Sequence, residues 1–300
     1  MTIAVATRRL FCFGTGYVAG HLAHRLIAEG WTIGGTARSA EKVAALQARG
    51  IKAIPFGQAL PPDCHHVLVS VPPDDCGGDA VLARYGKMLA GAADIGWLGY
   101  LSSSAPYGNH DGARVDESTV PRPTGERGER RLAAEQAWLS LGQKHGLAVH
   151  IFRLAGIYGP GRNPFSRLRA GTARRIIKPG QVFSRIHVDD LITVLIASMA
   201  RPRAGAVYNV GDDEPAPPQD VVAFAATLLG LPAPPDTPFE KAALSPIGRS
   251  FYADNKRLSN RRIKQELGVR LRYPSYREGL GALYAAGGGR SPISESNSST

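Results

Sequence analysis

The sequence predicts an α/β protein built on a doubly wound parallel sheet, with a smaller lobe toward the C-terminus. Three observations lead there. Short apolar runs alternate with helical stretches over residues 9–153, the rhythm that buries a parallel sheet between two helix layers. The first run joins the second through a glycine turn and an amphipathic stretch, RLFCFGTGYVAGHLAHRLIAEGWTIGGTAR over residues 9–38. From about residue 160 the apolar runs shorten and loops separate them.

Each element follows from its local pattern. The turn after the first strand reads Gly14-x-Gly16-x-x-Ala19, which fits the dinucleotide fingerprint G-x-G-x-x-G/A. Gly14 permits a tight turn, and Gly16 lets backbone N–H groups approach a pyrophosphate at a helix N-terminus. Val18, Leu22, Leu26 and Ile27 give the following helix an apolar side, and Trp31–Thr36 is the second strand. A Rossmann-type fold follows from this unit. Strands are then expected at Ile51–Pro55, His66–Val71, Trp97–Ser102 and Ala148–Arg153, and helices at Ala80–Ala93 and 128–145, with a loop over 106–124.

Beyond residue 160 the pattern predicts helices at Phe165–Gly171 and Asp189–Ala200, a turn strand near Ile176–Pro179 and a strand at Ala206–Val210. Pro215–Pro218 opens a further helix to Leu229, Pro232–Pro238 reads as a linker, 254–267 as a charged helix and 276–286 as a last helix. The expected organisation is a Rossmann domain over 1–160, a mainly substrate-binding lobe over 161–286 and a disordered low-complexity tail over 287–300.

Composition bounds the function. No run of about 18 apolar residues exists to span a membrane. MTIAVATRRL lacks the charged-then-apolar order of a signal peptide. Cys12, Cys64 and Cys76 have no metal-like spacing, so a reduced, cytoplasmic protein without a metal site is expected, with Cys12 a core residue. The net charge of +11 favours anionic partners. Its arginines are spread over many segments without interleaved aromatics, which points to a phosphate-bearing cofactor or acidic substrate rather than nucleic acid.

The second strand ends Gly34-Gly35-Thr36-Ala37-Arg38-Ser39, without the acid that would accept from the ribose 2′-hydroxyl of NAD. Arg38 can pair with a 2′-phosphate and Ser39 can add a hydroxyl, so NADP is expected rather than NAD. Gly14, Thr15, Gly16, Tyr17 and Val18 form the expected pyrophosphate cradle.

Further motifs follow in order: Ser102-Ser-Ser-Ala-Pro-Tyr107-Gly108, Arg153-Leu-Ala-Gly-Ile-Tyr158-Gly-Pro-Gly161, Ile186-His-Val-Asp-Asp190 and Tyr208-Asn-Val-Gly211. With the glycine turn, they make the chain resemble the extended short-chain dehydrogenases/reductases, also called the NAD-dependent epimerase/dehydratase group, over roughly residues 9–285. The resemblance implies that Ser103 hydrogen-bonds a substrate oxygen. It also implies that Val71, Pro72, Ser102, Ala155 and Ile157 pass the cofactor, and that two helices flanking the serine loop, Ala80–Ala93 and Arg130–Lys144, pair in a homodimer. Leu132, Trp138, Leu139 and Leu141 supply the apolar surface expected of that pairing.

The group's Tyr-x-x-x-Lys pair aligns with Arg127 and Arg131, so the catalytic tyrosine is absent. Arg131 can still hold the ribose, but a guanidinium does not exchange a proton near neutral pH. Tyr107, Tyr158 and His187 are the alternative proton donors, Tyr107 lying four residues past Ser103. Substrate contacts are expected from Ser103, Tyr158, Arg162, Asn163, Arg185 and His187, with Arg174, Arg175 and Lys178 nearby in sequence. The expected activity is an NADP-dependent oxidoreductase acting on a small, anionic, carbonyl, alcohol or sugar-like substrate. An NADP-binding sensor without turnover and a nucleotide-sugar epimerase/dehydratase are the alternatives.

Overall fold

The structure is a computed structural model and describes residues 8–61 and 64–288; the expected tail beyond residue 288 lies outside them. β1 (Arg9–Phe13) runs into α1 (Tyr17–Ala28), whose Val18, Ala19, Leu22, Ala23 and Leu26 are buried on one face. β2 (Thr32–Ala37) leads to α2 (Ala40–Gln47), capped by the Ser39 side chain, which accepts from the Lys42 N–H. β3 (Lys52–Pro55) and β4 (His66–Val69) precede α3 (Ala80–Ala90). One carboxylate oxygen of Asp79 caps α3 on the Val81 and Leu82 N–H groups, and the other accepts from Trp138 Nε1 at 2.8 Å. One residue therefore opens α3 and ties it to the next helix: β5 (Trp97–Ser103) and β6 (Arg114–Val115) lead to α4 (Glu126–His145), where Trp138 sits, and then to β7 (Val149–Leu154).

The second half departs more from expectation. β8 (Gly156–Tyr158), α5 (Phe165–Arg169), β9 (Arg175–Ile177), β10 (Arg185–His187), α6 (Val188–Met199), β11 (Ala206–Val210) and α7 (Pro218–Leu228) follow. The expected linker contains β12 (Asp236–Pro238), which pairs with β9. A helix absent from the sequence reading, α8 (Pro246–Ala253), comes next. The expected charged helix shrinks to α9 (Arg261–Glu266), because residues 254–260 run extended and include β13 (Arg257–Leu258), paired with β6. α10 (Tyr276–Leu283) opens with a Ser275–Glu278 capping box.

Seven parallel strands form the central sheet in the order β11-β7-β5-β4-β1-β2-β3. Alternate side chains feed two layers. Leu10, Cys12 and Leu68 pack with α1 and α6, while Phe11, Phe13, Val67 and Val69 pack with α3 and α4. Trp97 and Trp138 are fully buried, one in each layer. Truncation of either to Ala would cost about 3–5 kcal/mol by the usual cavity penalty. Trp138 thus belongs to the core rather than to an exposed dimer face, and Leu139 and Leu141 also pack against it. Chain order reverses between β1 and β4, and the crevice beyond their C-terminal ends is where such sheets receive ligands.

Candidate active site

At that crevice Gly14 adopts φ +81°, and a β-carbon there would sit 2.9 Å from Ser70 Oγ. Ser70 Oγ donates to the Gly14 carbonyl at 2.7 Å, which pins the turn to the end of β4 beside Val71. Gly16 is different: a β-carbon there would meet nothing within 4 Å. Gly16 is also the N-cap of α1, with no side-chain cap and no acid in the first turn. The N–H groups of Tyr17 and Val18 therefore open an uncapped helix onto free space, an arrangement suited to a phosphate. Thr15 tucks its methyl group under Gly35. Arg38 is exposed beyond β2, without an ion-pair partner among the described residues, beside the N-terminus of α2.

Farther along the same sheet edge lies a cleft of about 690 Å³, walled by residues 102–105, 154–158 and 182–185, and closed by α8 and the segment through Leu258. Ser103, Ala155, Ile157, Tyr158, Arg162 and Arg185 line it. Tyr17 connects the two regions. Its hydroxyl donates to the Pro160 carbonyl at 3.0 Å, and the Arg162 guanidinium lies 5.6 Å from its ring centre. Ser103 Oγ accepts from the Ala105 N–H at 3.3 Å, leaving its own proton for the cleft.

Several expected site residues are structural instead. Tyr107 is fully buried; its hydroxyl donates to Asn209 Oδ1 at 2.8 Å, and it does not line the cleft. Ser102 reaches the cleft wall, but its hydroxyl donates to Glu135 Oε1 at 2.5 Å. Glu135 in turn pairs with Arg153 at 2.8 Å, and Arg153 lies 4.7 Å from the Tyr107 ring centre. His187 caps α6 by accepting from the Asp189 N–H at 3.2 Å, and burial lowers its pKa to about 4. It packs against Tyr158 and Tyr273 outside the cleft. Asn163 braces its own loop, donating to Gly159 O and accepting from the Phe165 N–H. Arg131 lies off the cleft, donating to the Tyr100 hydroxyl and the Leu101 carbonyl, both at 3.1 Å. Tyr158 faces the cleft, but its hydroxyl donates to Ser275 O, and burial drives its pKa far above the ordinary phenol value. Arg175 and Lys178 are engaged by Asp236 and the Tyr252 carbonyl.

The cleft wall is strongly cationic. Arg127, Arg162, Arg167 and Arg174 are exposed along it without a carboxylate partner among the described residues. Arg127, aligned with the absent tyrosine, stacks on Phe251 of α8 at 4.1 Å. Asp254, the only acidic residue lining the cleft among the described residues, accepts from Lys256 Nζ at 2.9 Å and from the Thr124 hydroxyl. Arg185 spends its guanidinium on the Phe183 and Ala216 carbonyls. Behind it Asp212 is buried, which raises its pKa to about 8, with the Arg185 charge opposing. Asp254 and Lys256 escaped the sequence reading because 254–267 reads as a charged helix, and Phe251 and Tyr252 because α8 went unread. Their place at the cleft depends on Asn255, which donates to Asn109 Oδ1 and the Gly180 carbonyl and accepts from the Val182 N–H, bonds that no local pattern announces.

Comparison with known proteins agrees with the topology. The model of the NAD dependent epimerase/dehydratase family matches residues 87–211. A solved structure of a functionally unknown conserved protein from Silicibacter pomeroyi is 54% identical, covers 93% of this chain and 99% of its own, and superposes with a TM-score of 0.87. Protein YeeZ of Escherichia coli K12 is 28% identical over 286 residues, covering 89% of this chain and 97% of that protein. MoeE5, solved in complex with UDP-glucose and NAD, is 22% identical with a TM-score of 0.74, covering 92% of this chain and 97% of its own, and it speaks to the fold. The sheet order, the glycine turn opening α1, the Ser103 strand end and these matches converge on one conclusion: residues 87–211 carry the pattern of the NAD dependent epimerase/dehydratase family, set in a Rossmann-type parallel sheet.

Proposed function

We propose that the protein is a nicotinamide-dinucleotide-dependent oxidoreductase that prefers NADP and acts on a small anionic carbonyl or alcohol compound. The observation that carries this reading is the uncapped, acid-free N-terminus of α1 behind Gly14 and Gly16, followed across β2 by an unpaired Arg38. Residues 14–18 would hold the pyrophosphate, and Arg38 with Ser39 the 2′-phosphate. When bound, the dinucleotide supplies a nicotinamide ring that carries hydride. Ala155 and Ile157 present apolar surface that excludes water from that side of the cleft. The Ser103 hydroxyl donates to the substrate oxygen, and the unpaired arginines hold the substrate's anionic end.

A nucleotide-sugar epimerase or dehydratase using NAD is the second reading, favoured by the UDP-glucose and NAD bound to MoeE5 and by the size of the cationic cleft. We include homodimerisation through α3 and α4 in the proposal. Its support is Met88, 43% exposed on α3, and the half-buried Leu132 of α4, the helix packed against α3. Size-exclusion chromatography with light scattering would return one chain mass if that part is wrong.

The deciding experiment is the thermal midpoint titrated separately with NADPH, NADP, NADH and NAD, since a ligand of the folded state raises it with saturation. The phosphorylated pair is expected to stabilise more, and Arg38→Ala to remove about 1.5–3 kcal/mol of that binding, the worth of a charged hydrogen bond. Equal shifts with NADH would move the reading to NAD. No shift with any of the four would end it.

A further inference from the structure

The cleft has Ser103 to anchor a substrate oxygen but lacks the tyrosine that would exchange a proton with it. Guanidinium groups cannot do so near neutral pH. Of the remaining ionisable side chains lining the cleft, Tyr158 and Tyr252 are phenols whose pKa values burial pushes upward, away from the range where proton exchange is useful. That leaves the pair Lys256 and Asp254.

Lys256 is 8% exposed. Its Nζ donates to the Gly108 carbonyl at 2.7 Å and to Asp254 Oδ2 at 2.9 Å. Gly108 closes the turn that follows Ser103 on the same loop, so the ammonium is anchored to the backbone leaving the serine strand. Two of its three protons are committed, and the third is uncommitted. Asp254 is itself fixed by the Thr124 hydroxyl, and its carbonyl accepts from Gln181 Nε2 at 2.8 Å. Burial makes the Lys256 ammonium a stronger acid than an ordinary lysine; Asp254 opposes this and the charge of Arg127 adds to it.

We propose that Lys256, held by Gly108 and Asp254, is the acid–base residue of the cleft and exchanges a proton with the substrate oxygen anchored by Ser103. This rests on the oxidoreductase reading. In reduction, a reduced dinucleotide held at residues 14–18 would supply hydride to the carbonyl carbon, and the C=O π pair would move onto oxygen. That oxygen takes a proton from Nζ, and the neutral amine regains one from water. Oxidation runs the same transfers backward. Arg127, at the position of the missing tyrosine, supplies charge and no proton.

The test needs no substrate. Pyridoxal 5′-phosphate offers an aldehyde for a neutral amine and a phosphate for the neighbouring arginines; borohydride fixes the adduct, and peptide mapping locates it. Lys256 is expected to be modified several-fold faster than the other lysines at pH 7.5. Lys256→Arg keeps the charge and can still reach both acceptors, so it is expected to fold, to retain stabilisation by the dinucleotide and to lose this label. Labelling of Lys256 no faster than that of surface lysines overturns the proposal, even if the dinucleotide stabilises both proteins. Absence of stabilisation by any dinucleotide overturns the oxidoreductase reading instead, and this inference with it.

Discussion

Two sets of cations sit a few residues apart on the same edge of the sheet and are treated in opposite ways. Behind the Ser103 strand, Arg153 is nearly sealed from solvent and bonded through Nε and Nη2 to Glu135, which also takes the Ser102 hydroxyl. In front of it, Arg127, Arg162, Arg167 and Arg174 face the cleft without a carboxylate partner among the described residues. The difference separates scaffold from recognition. A charge withdrawn from water must bring its partner along, whereas a charge left in a solvated cleft without one waits for an anion.

The contrast can be broken experimentally. The largest effect is expected for Glu135→Ala, which leaves Arg153 buried without its carboxylate and should cost about 3–5 kcal/mol. Equilibrium urea unfolding measures this, and a loss below about 1 kcal/mol would mean that water replaces the partner and the pair is not structural.

The next effect tests the buried side through pH. His150 has no exposed surface; its Nε2 accepts from the Arg203 N–H at 2.8 Å, and its Nδ1 lies 2.7 Å from Ser198 Oγ. An N–H facing Nε2 leaves no room for a second proton, and burial, aided by the charge of Arg203, lowers its pKa from 6.5 to about 4. The unfolded chain therefore binds the proton more readily than the folded one. Stability should be insensitive to this group above pH 6.5 and fall as pH drops toward 4, by up to about 3 kcal/mol. His187, lowered to about 4 as well, adds to the same window. Unfolding midpoints from pH 7 to 4 should show a shallower slope in His150→Gln, and an identical slope would remove His150 from the account.

The smallest stability effect belongs to the cleft. Arg167→Ala and Arg174→Ala should leave stability within about 0.5 kcal/mol of the starting protein, as surface changes do. The same changes should weaken binding of an anionic probe such as UDP, read by calorimetry, and lose that difference at high salt. A clear drop in stability would place these arginines in the scaffold and dissolve the contrast.

How much of this was legible depended on range. The glycine turn, the first helix and the central strands each carry a local pattern, and alternation plus Gly14 and Gly16 announced them even though β1 finds its partner β4 as far off as His66. Burial of a particular polar residue did not. Tyr107 looked poised beside Ser103, yet its hydroxyl is claimed by Asn209, 102 positions away. His187 looked free to act as a base until the helix it opens claimed its Nδ1. Residues 254–260 carry charges at helical spacing, but pairing of β13 with β6 draws them into an extended path across the cleft. Secondary-structure propensity is a weak force there, and distant backbone groups outbid it. Within the site, the expected cofactor turn and Ser103 stand on an open crevice and a cleft wall, whereas four of the six expected substrate contacts, Tyr158, Asn163, Arg185 and His187, are held in internal bonds.

One ring has a consequence of its own. Tyr17 belongs to the first turn of α1, yet its hydroxyl holds the loop at Pro160 and its face carries Arg162. Filling the glycine turn would thus steady the platform on which a cleft guanidinium rests. Thermodynamic linkage makes such an influence mutual, so occupancy of either pocket would tighten the other by the same factor.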